Sequence, residues 1–306
     1  MAAPRIVSLL PSATEMVFAL GCGECLVGRS HECDYPEEVR HLPRCTLPRI
    51  NAEQKSVELD RQVKARAAEG LALFELDLPR LRELRPDLIL TQNQCGVCAI
   101  PAPDVERSLR EWSGPLPRVL SLSPVRLAEV WQSIQAVAQA AGVEDQGKTV
   151  LKQLKNRVAD VILKTAALKR RPTVGCLEWL EPLMAAGNWV PELVELAGGT
   201  DLLGQAGAHS DWLKWETLRE KDPDILVLMP CGFDLARTAR EAEALRALPG
   251  WSALKAVRRG QVLATDGSQF FNRPGPRLVE SLEILAEMLH PALFQSEQKG
   301  RNWKPS

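Results

Sequence analysis

The chain has 306 residues, with 38 Lys and Arg against 39 Asp and Glu and a net charge of −1. That balance excludes a global pull toward nucleic acid or an anionic membrane surface, and no apolar run approaches the roughly 18 residues of a membrane span. The length allows about two domains, each with its own core.

The first predicted element is a buried strand over Ile6–Leu10, a short apolar run. Ser12-Ala-Thr-Glu15 reads as a capping box opening a helix, Met16, Val17, Phe18 and Leu20 supply its apolar face, and Gly21 suits a left-handed stop. Amides at that helix start, Ser12 among them, are expected to face a ligand beyond the strand's carboxyl end. Only Met1-Ala-Ala-Pro precedes Arg5, with no basic or long apolar leader, so the expected location is cytoplasmic. A short strand over Cys25–Gly28 leads into the polar loop 29–36, and Pro36 begins a helical turn. Residues 52–70 read as a charged helix and Leu78–Leu84 as a short one. A buried strand, Asp87–Thr91, runs into the loop Gln92-Asn-Gln-Cys-Gly-Val-Cys98. Asp104 is expected to cap the next helix, before a third strand over Arg118–Leu122.

A long helical tract covers about 124–169, interrupted near Ala141-Gly142. The pattern then restarts: strand Thr173–Leu177, helix Val190–Leu196, short helix Trp215–Arg219, strand Asp224–Met229, helix Ala236–Leu248, strand Gln261–Ala264 and closing helix Pro276–Leu289, with a loose polar tail after Pro291. Leu84-Arg-Pro-Asp87-Leu-Ile-Leu in one half echoes Lys221-Asp-Pro-Asp224-Ile-Leu-Val-Leu in the other. Such alternation predicts an α/β fold of two Rossmann-like lobes with parallel sheets, joined by one long backbone helix, with a cleft lined by loops from the strands' carboxyl ends. The expected boundaries are an N-terminal lobe 1–123, a helical connector 124–170, a C-terminal lobe 171–292 and a tail 293–306.

Eight cysteines are many for a chain expected in a reducing compartment. His31, Cys33, Cys95, Cys98 and Cys231 each follow a predicted strand, and Cys95-Gly-Val-Cys98 has the spacing by which two thiolates hold one metal. Zinc or an iron–sulfur cluster is the chemistry such a set would suit, against the alternative of unliganded thiols. Cys22-Gly-Glu-Cys25 is a second pair, away from the strands' carboxyl ends, and reads as incidental. Cys45 and Cys176 read as core or loop residues, Trp112 and Trp131 as core. Glu178 and Glu181 are paired carboxylates, but nothing supplies a nucleophile with an oriented base, and no phosphate-cradling or nucleophile-elbow motif occurs, so no enzyme is expected.

Arg5-Ile-Val-Ser-Leu-Leu-Pro-Ser-Ala-Thr-Glu15, Leu26-Val-Gly with Asp34-Tyr-Pro36, Leu84–Leu90, Trp215-Glu-Thr-Leu with Asp222-Pro-Asp224, and Arg273-Pro-Gly-Pro-Arg277 stand in order along nearly the whole chain. Together they resemble the cobalamin- and iron-siderophore-binding proteins of ABC importers, the class III periplasmic-binding-protein fold. The resemblance implies a non-catalytic protein that binds cobalamin, or a related corrinoid or metal chelate, between its lobes. It places Glu32 and Gln92 where the periplasmic cobalamin binder sandwiches the corrin between aromatic rings, with Gln94 beside them. It puts Pro79 and Glu216 at that protein's acidic importer-docking positions, so importer docking is expected to be weakened, and it makes 53–74 an insertion. His31-Glu-Cys-Asp-Tyr-Pro and the 91–98 loop look like the signature of a leaderless branch. A flat macrocycle with amide arms needs apolar planes and a few polar anchors, for which Glu178, Trp179, Trp189, Trp212, Phe270 and Arg273 are the candidates in the second half.

Overall fold

The computed structural model describes residues 3–51, 54–69, 71–93, 99–112, 114–294 and 298–306. Its contacts divide the chain into two compact units. The first takes in most of the sequence up to residue 153, and the second most of it from residue 154.

The first unit contains β1 (Ile6–Ser8), α1 (Pro11–Ala19), β2 (Leu26–Arg29), β3 (Thr46–Pro48), α2 (Ser56–Ala68), β4 (Phe74–Leu76), α3 (Leu78–Leu84), β5 (Leu88–Thr91), α4 (Ala102–Ser108), β6 (Arg118–Ser121) and α5 (Leu127–Ala141). The main sheet runs β2-β1-β5-β6, parallel throughout. Strands covered on both faces need unbroken apolar runs, and Ile6, Val7, Ile89 and Leu90 are fully buried. Their core is completed by Cys45, Leu81, Val105 and Leu109. β3 and β4 form a separate antiparallel pair flanking α2, which the sequence pattern did not disclose.

α6 (Glu144–Ala166) is continuous and passes from the first unit into the second. The second unit adds β7 (Thr173–Leu180), β8 (Leu183–Ala185), α7 (Val190–Leu196), β9 (Thr200–Asp201), α8 (Trp215–Lys221), β10 (Ile225–Leu228), α9 (Leu235–Glu241), α10 (Lys255–Arg258), β11 (Val262–Thr265), α11 (Leu278–Leu289) and β12 (Trp303–Pro305). Its sheet has the order β12-β11-β10-β7-β8, and β9 also pairs with β7. β7, β9, β10 and β11 are parallel, while β8 and β12 are antiparallel additions. Arg157 on α6 and Glu283 on α11 form a two-pronged ion pair at 2.9 and 2.7 Å, fastening the later part of α6 to this unit.

The echoed helix–Pro-Asp–strand segments are one structural corner used twice. α3 ends on Arg85 and α8 on Asp222, both left-handed at φ 44° and 41°, directly before Pro86 and Pro223. The aspartate that follows turns back to the head of the neighbouring strand. Asp87 Oδ2 accepts from the Arg5 amide at 2.8 Å, and Asp224 Oδ2 from the Thr173 amide at 3.2 Å. Asp224 also accepts from the Thr173 hydroxyl and from Arg259. Burial pulls its carboxyl upward, but these donors hold it below the usual carboxylate range.

Five local expectations are corrected. α1 starts at Pro11 with Leu10 as its N-cap, because the proline ring presets the helical φ, so Ser12 and Glu15 lie buried within the helix and Ser12 is not its cap. α4 has Pro101 as its N-cap, and Asp104 sits in its first turn instead. The helix expected over 236–248 is helical only to Glu241 and tightens into a 3-10 run to Ala247. The polar tail is not loose: β12 pairs with β11, and Trp303 is only 5% exposed. Trp112 and Trp131 are half-buried rather than core.

Two outcomes follow. Asp224→Ala should cost about 1–3 kcal/mol at neutral pH, since three donors lose a charged acceptor. Because the folded-state carboxyl is depressed, that contribution exists above the unfolded value near 4 and is lost as pH falls through the folded one, so wild type and variant should converge in acid. Equal urea midpoints at neutral pH would refute the corner's role. Trp303→Ala should cost about 3 kcal/mol, the range for deleting a buried large aromatic. It should do so with an unchanged denaturant slope, whereas an unchanged midpoint would return this segment to a loose tail.

Candidate functional site

In the first unit the strand ends are held together by backbone bonds between Leu9 and Leu90, Ser30 and Ser8, and Leu122 and Thr91. The loops that leave them carry the candidate residues. Beneath them lies a small buried polar cluster, where Thr14 Oγ1 is 2.9 Å from Ser8 Oγ and 3.0 Å from Cys33 Sγ. Arg29 is buried, and its guanidinium donates to the carbonyls of Ser30, Cys33 and Arg40 at 3.0 Å each. One rigid cation thus fixes the path of the loop from Ser30 to Arg40, a role the sequence did not signal.

His31 and Thr46 are tied twice. The Thr46 hydroxyl accepts from the His31 amide at 2.9 Å and lies 2.7 Å from Nδ1. The other ring nitrogen, Nε2, lies 3.9 Å from Glu32 Oε1. The ring packs against Phe74, centroids 5.2 Å apart, in a small hollow lined by Leu9, Ser30, Thr46, Ala99 and Ile100. Burial first, then the charges of Arg44 and Arg29, lower its pKa to about 4. Gln92 is buried and its carbonyl accepts from Ala102, while Glu32 is exposed. Gln94, Cys95 and Cys98 lie outside the described residues.

In the second unit the loops after β7, β10 and β11 interlock. The Cys231 amide donates to the Glu178 carbonyl, the Ser268 amide to Phe233, and Asn272 Nδ2 to Met229. Gly267 is required here, because a Cβ would stand 2.4 Å from the Pro230 carbonyl oxygen. The Glu178 carboxylate accepts from Ser210 at 2.7 Å, and Ser210 Oγ accepts from the Gly187 amide at 3.0 Å. Trp179 is half-buried, its Nε1 donates to the Glu181 carbonyl, and its ring lies 5.2 Å from Phe233. Arg237 covers Phe233 at 3.6 Å from the ring centroid, giving a Trp–Phe–Arg stack. Asp266 caps the turn that follows β11 by accepting from Gln269. Burial raises its carboxyl, opposed by the Gln269 bond and by Arg273 and Arg277.

The other expected planes differ. Trp189 and Phe270 are buried, with Trp189 Nε1 bonded to the Phe271 carbonyl and Phe270 lying under Arg277 at 4.5 Å. These rings are packing elements. Arg273 is 93% covered and lies 3.4 Å from Ser268 Oγ. Trp212 is exposed, bridged to Met184. Phe233, Arg237, Ser210 and Asp266 were missed. Asp234-Leu-Ala-Arg237, a residue with helix-capping chemistry just after a buried strand, was the available signal for the first two.

The five-ligand metal set is not assembled in the described part of the chain. Cys33 is buried against Thr14, His31 Nδ1 is engaged by Thr46, and among the described residues no group of three His, Cys, Asp or Glu side chains could hold an ion.

A periplasmic binding protein family model matches residues 6–268. The chain belongs to the periplasmic binding protein family. An uncharacterized ABC transporter substrate-binding lipoprotein of Bacillus subtilis is 23% identical over 299 residues, covering 95% of this chain and 81% of that protein. A vitamin B12-binding protein of Vibrio cholerae is 25% identical over 297 residues, covering 96% and 91%. The fold matches the apo periplasmic heme-binding protein RhuT from Roseiflexus sp. RS-1 with a TM-score of 0.69 and 22% identity, over 95% of this chain and all of that one. The chain is thus an α/β substrate-binding protein of the class III type. The cytoplasmic expectation is overturned, because the family is periplasmic and the Bacillus relative is a transporter lipoprotein. That expectation rested on the residues before Arg5, which decide nothing. The expectation of weakened importer docking likewise finds no support in a family of transporter components.

A His31 pKa near 4 makes this side chain a source of acid sensitivity. The folded value lies below the unfolded one near 6.5, so between them the unfolded chain binds the extra proton and stability declines as pH falls, by up to roughly 3 kcal/mol for this group. His31→Gln should narrow the gap between urea midpoints at about pH 7 and about pH 4.5. An NMR titration of His31 centred near the unfolded value would contradict the burial.

Proposed function

We propose that this protein is a non-catalytic binding protein for cobalamin or a closely related corrinoid, delivering it to an ABC importer. The observation that carries the reading is the near full-length correspondence with a vitamin B12-binding protein of Vibrio cholerae, on a chain whose loops offer a fixed aromatic plane. Trp179 is the ligand-facing plane. Phe233 and Arg237 brace it from behind, and the Glu181 carbonyl locks its rotation, so little ordering entropy remains to be lost on binding. Glu178 supplies an acceptor for a corrin amide arm, and Arg273 a donor. In the first unit Glu32 and Gln92 replace stacking rings with polar groups able to bond the same arms. Importer contact passes through exposed positions including Glu216 at the start of α8. The thiolate–metal alternative is not favoured by the described residues.

The test is equilibrium dialysis of the purified chain against cobalamin, cobinamide and haem in parallel. Retention of one corrinoid per chain supports the reading; retention of haem alone, or of neither, refutes it. Trp179→Ala should weaken corrinoid binding about tenfold or more, the scale of one lost aromatic contact of 1–2 kcal/mol, while leaving the urea midpoint within about 1 kcal/mol. Unchanged affinity would remove Trp179 from the site.

A further inference from the structure

The pair Cys22 and Cys25 lies in the turn that carries the chain from α1 to β2, apart from every loop described above. The Cys25 amide donates to the Cys22 carbonyl at 2.9 Å, closing a four-residue turn. Such a turn keeps its end Cα atoms within about 7 Å, and a disulfide needs about 4.4–6.8 Å. The Cys22 thiol donates to the Leu20 carbonyl at 3.7 Å, within the same turn. The turn is also held from outside. Gly21 takes the left-handed conformation at φ 74°, and Gly23 lies so close to Phe18 that a Cβ would fall 2.6 Å from its ring. The thiols differ in access, Cys22 being buried and Cys25 partly exposed. Burial, and then its neighbour Cys25, push the Cys22 thiol upward. No third side chain joins them to hold a metal among the described residues.

We propose that Cys22 and Cys25 are a thiol-modification site, a dithiol that closes reversibly to a disulfide in an oxidising compartment. The oxidant is a small-molecule or protein disulfide. The Cys25 sulfur, the reachable one, attacks one sulfur of that disulfide and expels the other as a thiolate, leaving a mixed disulfide. The Cys22 sulfur then attacks the Cys25 sulfur and expels the second thiolate. Two electrons pass from the pair to the oxidant, whose two thiolates take up the two cysteine protons. The closed bond fixes the entry to β2, the strand that ends at Arg29 and the Ser30–Cys33 loop.

The inference is independent of the ligand, and trypsin separates it from every other thiol. Cleavage after Arg5 and Arg29 releases Ile6–Arg29, which contains Cys22 and Cys25 and no other cysteine. The native full-length chain is exposed to oxidised glutathione, acid-quenched, alkylated and digested. The expected peptide is lighter than the reduced one by two hydrogen atoms and carries no alkyl group, and dithiothreitol restores two alkylation sites. Cys22→Ser should stop at a persistent glutathione adduct on Cys25, and Cys25→Ser should leave Cys22 unmodified. A wild-type peptide that stays doubly alkylated, or that holds glutathione on Cys25 without closing, overturns the proposal.

Discussion

The aspartate at the foot of each central strand is the constraint on which both units rest. Asp87 and Asp224 sit just after a proline that stops a helix, and each reaches sideways to the first amide of the neighbouring strand. A parallel pair has no hairpin to set its register, so an anchor at the amino end does that work. Once Arg5 is fixed to Asp87, Ile6 meets Leu88 and Val7 meets Ile89; once Thr173 is fixed to Asp224, Val174 meets Ile225. The carboxyl ends, three to four residues along, are then placed as a consequence. The candidate residues Ser30, His31, Phe233 and Asp266 follow those ends, and Glu178 and Trp179 close β7 itself.

Much of this was legible in the chain. Apolar runs of about four or five residues marked β1, β5, β7, β10 and β11, because strands buried on both faces are dominated by apolar side chains. The Pro-Asp repeat marked the duplication because its chemistry is local: a proline ends a helix, and an aspartate has an amide within reach. α3 and α7 fell at the predicted bounds for the same reason. What failed was less local. The capping box at Ser12 was outcompeted by Pro11, which starts the helix earlier. β3, β4, β8 and β12 are edge or accessory strands of three residues each, too short to show a period, and each is paired to a partner strand.

The surroundings of the candidate residues were legible in outline and not in detail. Glu178 and Trp179 were expected just after a strand, but β7 runs on to Leu180 and they stand within its final residues, Trp179 paired with Met184 of β8. Yet the feature that gives Trp179 a fixed orientation is Phe233 with Arg237 behind it, two residues on a different loop and helix. Their meeting depends on β7 and β10 being neighbours, a pairing across more than fifty residues. Trp189 and Phe270 show the converse: large aromatics near a strand end satisfied by a backbone carbonyl or a stacked guanidinium, and so committed to packing. Aromatic identity alone does not separate a ring that meets ligand from one that holds a loop. The number of its faces already taken does.

The braced indole has an optical consequence. Trp179 is one of eight tryptophans, but it combines a tethered ring nitrogen, partial exposure and a neighbouring arginine–phenylalanine stack. A ring that cannot turn keeps its transition dipole in one direction, so energy transfer to an absorbing macrocycle beside it would have a definite efficiency and would not be averaged over orientations. Under the function proposed above, its emission would therefore gauge occupancy without any attached dye.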